Sequence, residues 1–226
     1  MRNINLHFLK KFFSIITASS MLLSFGYVSA MKPESNSLNL NPLVLEEDSL
    51  HLCKVGTYCL SLLERDRMFF KLTDQMFRNF FFKSSEKIKV LMYSKLDENT
   101  YKLIHEASKN VSLLKSSVLR FLDVHLLLSQ SAQDCFDATS KEIKSDIGIV
   151  LPDNIAMRAI MRCNTYSLLQ RDLSTNLIVF IYNIEKVAKL ASTENLSSDV
   201  KNIFSDLQKL INDNAHLLNQ IKELCA

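Results

Sequence analysis

The scarcity of residues that end helices constrains the fold of this chain more than any other feature. Its 226 residues include only three glycines and three prolines. Sandwiches and barrels need many tight turns, and turns with a positive backbone φ angle favour glycine. So few turn-forming residues predict an all-α fold built from a small number of long helices.

Apolar residues recur every three or four positions in four long stretches, which places them on one face of a helix. These stretches are 52–80, 103–135, 155–191 and 200–224, and a short extra helix is expected over 84–96. The last stretch has the strictest heptad spacing, with Asn214 at an interface position, and is typical of a coiled coil. Helices this long must pair, so the simplest architecture is an elongated antiparallel, up-and-down bundle of about four long helices.

The first 30 residues have the composition of an export signal. A positively charged start and an apolar run over 12–28 are followed by Val28, Ser29 and Ala30, with small residues where a signal peptidase cleaves. A membrane anchor is the alternative, but the run is short for a span of about 20 residues. We expect residues 1–30 to be a signal peptide, 31–42 a flexible lead-in and 43–226 a single helical-bundle domain. The expected location is secreted, either extracellular or, in a bacterium, periplasmic or at the cell surface.

The export signal also accounts for the apparent basic charge. The chain carries 27 basic and 24 acidic residues, a formal net charge of +3. Arg2, Lys10 and Lys11 belong to the signal, which contains no acidic residue, so the remaining chain has no net charge. The composition gives no reason to expect nucleic acid or an anionic membrane surface as partner, and no transmembrane segment is expected after cleavage.

Five cysteines are candidates for disulfide bonds in an oxidising compartment. They are Cys53, Cys59, Cys135, Cys163 and Cys225. The first two are six residues apart, about 9 Å along a helix, which is too far for a mutual disulfide. An up-and-down topology would place all five at one end of the bundle. The candidate pairs are Cys135 with Cys163, and either Cys53 or Cys59 with Cys225, and the alternative is that all are buried free thiols.

No sequence pattern nominates a catalytic, cofactor-binding or metal site. The group that comes nearest to a metal site is His51 with Cys53 and Cys59, but the spacing of these residues does not match a zinc motif. The sequence contains no glycine-rich phosphate loop and no serine nucleophile elbow. We therefore expect a protein that is not an enzyme and that uses no cofactor.

A segment rich in phenylalanine and methionine is the candidate interaction patch. Its residues are Met76, Phe77, Phe80, Phe81 and Phe82. They cover more than one helical face, so part of the segment is expected to be exposed, and exposed apolar surface marks binding sites. The alternative is that the short helix after Ser84 folds over the segment and buries it.

These features together favour a secreted helical protein that acts by protein–protein interaction. A pathogen or symbiont effector, or a surface factor, fits this description. The alternative function is an extracellular or periplasmic carrier, in which the helices enclose a small apolar ligand.

Overall fold

A computed structural model describes residues 42–140, 152–192 and 196–225. Of these residues, 94% lie in helices and none lies in a strand. The all-α class predicted from the scarcity of glycine and proline is therefore confirmed. The predicted export signal, most of the lead-in and the connection that contains Gly148 lie outside the described residues.

The helices follow one another along the chain with few residues between them. They are α1 Pro42–Arg65, α2 Arg67–Met76, a π-helical turn Phe77–Phe81, α3 Phe82–Leu91, α4 Glu98–Ser140, α5 Pro152–Ala188, a 3₁₀ turn Lys189–Ser192, α6 Ser198–Asp213 and α7 Ala215–Cys225. None of the helices so described is long and apolar enough to cross a membrane.

Two helices begin beside residues that the sequence offers as caps, namely Asp97 or Asn99 for one and Ser197 or Ser198 for the other. Asp97 Oδ1 accepts hydrogen bonds from the backbone N–H groups of Asn99 and Thr100, both at 3.0 Å, at the start of α4. Ser197 Oγ accepts one from the backbone N–H of Val200 at 3.5 Å, at the start of α6. These side chains satisfy backbone donors that the first turn of a helix leaves without a partner.

The first predicted helix is interrupted at Asp66, where a single turn residue separates α1 from α2. The predicted apolar face continues through Arg67 and Phe70, whereas the structure buries Asp66 and Phe69 and exposes Arg67. The buried face thus departs from the predicted positions at 66–70 and returns to them at Thr73, Phe77 and Phe80. The sequence analysis was wrong at this point because periodicity alone assumes a regular helix.

The predicted break at Ser84 and Ser85 is also corrected, because the helix continues through both residues to Leu91. Ser84 Oγ donates hydrogen bonds to the backbone oxygens of Phe80 and Phe81 at 2.8 and 3.0 Å. Ser85 Oγ donates to Phe81 O at 2.6 Å. Serine hydroxyls that bond to the preceding turn let a helix proceed, and the irregularity lies instead in the π-helical turn.

The predicted heptad helix is divided by Asn214, which lies in the turn between α6 and α7. Its side chain is half-buried, and its Nδ2 donates a hydrogen bond to Leu210 O at 2.8 Å. Asn214 therefore terminates a helix and is not an interface amide within a continuous coiled coil. The sequence pattern did not distinguish these two roles because both place an amide on the same face.

The chain divides into two compact units. Unit 1 comprises Met1–Asp66 and Phe121–Leu168, and unit 2 comprises Arg67–Arg120 and Leu169–Ala226. The long helices α4 and α5 each contribute residues to both units. Unit 1 therefore contains α1 together with segments of α4 and α5, and unit 2 contains the remaining helices.

Unit 1 has a core made mostly of small and aliphatic side chains, together with the buried rings of Phe121 and Tyr166, whose centroids lie 5.0 Å apart. The small and aliphatic side chains include Leu52, Val55, Cys59, Leu62 and Leu63 of α1, Leu122, Leu128, Ala132 and Cys135 of α4, and Ala156, Ala159 and Cys163 of α5. Gly56 permits a close approach of α1 to α4, because a Cβ atom there would lie 3.0 Å from Phe136 Cζ and 3.2 Å from Cys135 Cβ. This approach brings two cysteine-bearing helices together.

Unit 2 has a core rich in phenylalanine. Its buried aromatic side chains are Phe69, Phe77, Phe80, Phe81, Phe180 and Phe204. The ring centroid of Phe81 lies 4.4 Å from that of Phe77 and 5.1 Å from that of Phe180. Around this cluster α2 packs against α7 and α3 packs against α6.

Candidate functional site

An exposed apolar stripe lies on helix α5 within unit 1. It consists of Met157, Ile160, Met161 and Leu168, which are 61%, 38%, 63% and 62% exposed. At about 100° per residue, the four positions fall within an arc of roughly 100° on the helix surface. Apolar side chains exposed along one helix face are typical of a surface that binds another protein.

The opposite face of the same helix segment packs in the core of unit 1. Ala156, Ala159, Cys163 and Tyr166 are all buried there. The two alanines have little volume, so α5 can approach its neighbours closely along this face. Since this face is already packed in the unit, the α5 stripe is a second apolar face of the same helix.

Arg162 holds α5 against α4 beside the α5 stripe. Its Nη1 donates hydrogen bonds to the backbone oxygen of Leu127 at 3.2 Å and to Ser131 Oγ at 2.6 Å. Ser131 Oγ in turn donates to Leu127 O at 2.9 Å. These bonds cross between two helices, so they give the stripe a fixed support.

A buried polar cluster lies in unit 1 and contains Asp66, His125 and Tyr166. Asp66 is only 6% exposed, and Arg65 Nε and Nη2 donate to its two carboxylate oxygens at 3.0 and 3.3 Å. The ring of His125 lies with its centroid 6.0 Å from that of Tyr166. Three titratable groups thus share one small region of the core.

Burial determines the protonation states in this cluster. It lowers the pKa of His125 to about 4, an effect that the negative charge of Asp66 partly opposes. Burial, followed by the charge of Asp66, raises the pKa of the Tyr166 phenol. Near neutral pH the histidine is therefore uncharged and the tyrosine protonated. All three side chains are almost closed to solvent, which gives a substrate no access to them in this conformation.

Unit 2 carries a groove of about 480 Å³ between α3 and α6. Its lining residues are Lys83, Glu86, Lys87, Val90, Ile203, Asp206, Lys209, Leu210 and Asp213. A salt bridge between Lys87 and Asp206 joins the two helices, and the hydrogen bond from Lys87 lowers the pKa of the Asp206 carboxyl. Charges of both signs surround a small apolar strip, so the groove is a polar feature of the surface.

The predicted interaction patch lies largely inside unit 2, so the alternative in which this segment is buried describes it, with Phe82 partly exposed. Met76, Phe77, Phe80 and Phe81 are buried, and Phe82 is half-buried. The ring centroids of Phe80 and Phe81 lie 6.0 and 5.1 Å from that of Phe180 on α5. These rings are covered by another long helix, and the helix after Ser84 simply continues from the same segment.

All five cysteines are free thiols in the structure. Cys53, Cys59, Cys135 and Cys163 belong to unit 1, whereas Cys225 belongs to unit 2. The Sγ atoms of Cys59 and Cys163 lie 3.4 Å apart, although the sequence analysis did not nominate this pair. The disulfide pairs suggested by the sequence stay predictions.

Metal ligands do not converge in the part of the chain that the structure describes. Within 42–140, 152–192 and 196–225, no group of three or more His, Cys, Asp or Glu residues is placed to hold a metal ion. His51 is exposed while Cys59 is buried, so these two members of the weak zinc candidate lie on different faces of α1.

Comparison of the chain with protein-family models, with curated proteins and with solved structures finds no match. The function therefore has to be inferred from the surface and core of this chain.

The sequence did contain a signal for the α5 stripe. The predicted apolar face of α5 passes through Ala159, Cys163 and Tyr166, while Met157 and Met161 lie off it. Apolar residues on two faces of one helix indicate a second contact.

Proposed function

We propose that this protein is an exported helical protein that acts by binding another protein, and that the α5 stripe is the contact surface. The observation that carries the proposal is the exposure of four large apolar side chains at helical spacing, on a helix whose opposite face is packed. A pathogen or symbiont effector, or a surface factor, is the class of protein that this function suits.

The composition of the α5 stripe supports a contact with an apolar groove or helix of a partner. Met157 and Met161 have flexible, polarisable side chains that adapt to irregular surfaces. The chain after the predicted signal carries no formal net charge, so long-range electrostatic attraction has little part in the proposed contact. Burial of the four side chains is the expected source of affinity.

The finer architecture belongs to the same proposal. We infer an elongated up-and-down bundle with about four long helices, in which the single predicted domain includes both compact units. Support comes from the lengths of α4 and α5, which have 43 and 37 residues. Helices this long each carry an apolar face that must pack against other helices. The expected binding role also means that the protein is not an enzyme and needs no cofactor.

The groove between α3 and α6 favours the carrier alternative less than the binding function. A carrier of an apolar ligand would enclose it among apolar side chains. Six of the nine residues that line this groove are charged, as in Lys83, Glu86 and Asp213. Native mass spectrometry of the purified protein would reveal a retained ligand if the carrier alternative were right.

The contact surface can be tested with Met161→Glu and a matched control. The substitution places a charge in the middle of the α5 stripe, so it should weaken partner binding at least about tenfold, or 1.4 kcal/mol. Met68→Glu is the control, because Met68 is also an exposed helical methionine but lies on α2 in unit 2. Partners captured from the natural surroundings of the protein are quantified for both variants and the wild type.

The helical circular dichroism of both variants must match that of the wild type for the comparison of binding to apply.

The protein used is recovered from outside the producing cytoplasm, where N-terminal sequencing should show a start at or near Met31. Equal binding by wild type and Met161→Glu would remove the α5 stripe from the proposal, and an intact Met1 form held in a membrane would overturn export.

A further inference from the structure

Two buried thiols face each other in the core of unit 1. Cys59 of α1 is 0% exposed, Cys163 of α5 is 1% exposed, and their Sγ atoms are 3.4 Å apart. A disulfide requires a separation of about 2.0 Å, so the sulfurs need to approach by only about 1.4 Å. We propose that Cys59 and Cys163 form a disulfide bond that joins α1 to α5.

The surroundings distinguish this pair from the other thiols. Cys135 is the third buried cysteine of this core, and burial raises its pKa to about 11, which keeps it protonated. The hydrogen bond from Cys59 lowers the pKa of Cys163. The same contact and burial raise the pKa of Cys59, so in the folded protein Cys163 is the more acidic of the two thiols. Cys225 belongs to unit 2.

The reaction is a thiol–disulfide exchange with an external disulfide as oxidant. The Cys163 thiolate attacks one sulfur of this disulfide, which forms a mixed disulfide and releases one thiol. The Cys59 thiolate then attacks Cys163 Sγ and releases the second thiol. Two cysteine thiols are oxidised, the external disulfide is reduced by two electrons to two thiols, and the two protons pass to the released sulfurs.

Burial sets when this exchange can take place. A bulky oxidant cannot reach sulfurs that are closed to solvent, so the bond forms before α1 packs onto α5 or during local opening of the unit. For the same reason, the completed bond is screened from reductants in the folded protein. Slow reduction under native conditions and fast reduction in denaturant are therefore expected.

The bond would stabilise the helix segment that carries the α5 stripe. Cys59 and Cys163 are 104 residues apart in sequence, and a cross-link over so long a separation strongly restricts the unfolded chain. Cys163 also lies on the packed face of α5, opposite the stripe. The inference stands on the sulfur geometry and is independent of the proposed partner binding, while in the cell the bond rests on the oxidising compartment that the proposed export would supply.

Peptide mapping can identify the bond directly, because all five cysteines lie in different tryptic peptides. Cys59 lies in 55–65 and Cys163 in 163–171. The full chain is refolded in a buffer of oxidised and reduced glutathione, its free thiols are alkylated in denaturant, and it is digested without reductant. The expected product is 55–65 linked to 163–171. Alkylation of both thiols, or a link between Cys163 and Cys135, would overturn the proposal.

Thermal unfolding provides a second readout. Reduction of the wild-type protein should lower its Tm by on the order of 10 °C. Cys59→Ser should abolish this redox dependence, whereas Cys53→Ser and Cys225→Ser should retain it. If Cys59→Ser does not fold, the wild-type map and its reduction shift still decide the matter. A wild-type Tm that is equal with and without reductant contradicts the proposed bond.

Discussion

The two compact units obtain their cores from different chemistry. Unit 2 packs phenylalanine rings against one another, as Phe77, Phe81 and Phe180 show. Unit 1 packs the aromatic pair Phe121 and Tyr166 among small and aliphatic residues, and it also buries Asp66 and His125. Apolar burial is insensitive to pH and redox conditions, whereas buried titratable groups respond to pH and buried thiols respond to oxidants. The stability of unit 1 should therefore respond more strongly to pH and redox conditions than the stability of unit 2.

The largest expected effect concerns the aromatic core of unit 2. Phe81→Ala removes a fully buried ring that contacts Phe77 and Phe180, and we expect a loss of about 3–5 kcal/mol in the free energy of unfolding. Urea denaturation followed by circular dichroism measures it. Phe82→Ala is the neighbouring control and should cost clearly less, because Phe82 is half-buried. Similar losses for both variants would show that the rings do not form a close-packed core.

The next effect concerns the titratable core of unit 1. The folded-state pKa of His125 is about 4, below its ordinary value of 6.5, so the unfolded state binds the proton more readily. The stability that His125 contributes is present above pH 6.5 and is lost as the pH falls towards 4. This loss should amount to about 3 kcal/mol. Urea denaturation at pH 7 and pH 4 should show it in the wild type.

The His125→Gln variant should lack this part of the pH dependence, because glutamine does not titrate. His105→Gln is the control in unit 2, where the exposed His105 stacks on Tyr101, and it should keep the wild-type dependence. If the two variants respond alike to pH, the proposed difference between the units is wrong.

The smallest effect concerns a polar side chain of unit 2 that lies at a helix end. Asn214→Leu removes the hydrogen bond to Leu210 O, and we expect a loss of about 1 kcal/mol, or a fall in Tm of roughly 2–4 °C. Asn202→Leu, at an exposed position of α6, serves as the control and should have little effect. A rise in Tm for Asn214→Leu would restore the interpretation of Asn214 as a buried interface amide.

Local features of the sequence were sufficient to predict the fold class and two helix starts. Scarce glycine and proline predict long helices because turns require them. Asp97 and Ser197 mark the starts of α4 and α6 because a capping side chain bonds to backbone groups two or three residues away. Such interactions depend only on neighbours in the chain, so the sequence contains all the information that they need.

The candidate sites depended on which helices meet, and periodicity does not contain this information. The segment around Phe81 reads equally well as core or surface until Phe180 is brought against it. Met161 lies off the predicted core face of α5, but only the packing of the opposite face shows that Met161 is left exposed. The turn at Asp66 shifted the buried face locally, at 66–70, and contact between α1 and α5 placed Cys59 beside Cys163. By itself the sequence determined the helical class and two capping residues, while only tertiary packing decided which apolar faces are covered, because burial is a property of two surfaces and not of one.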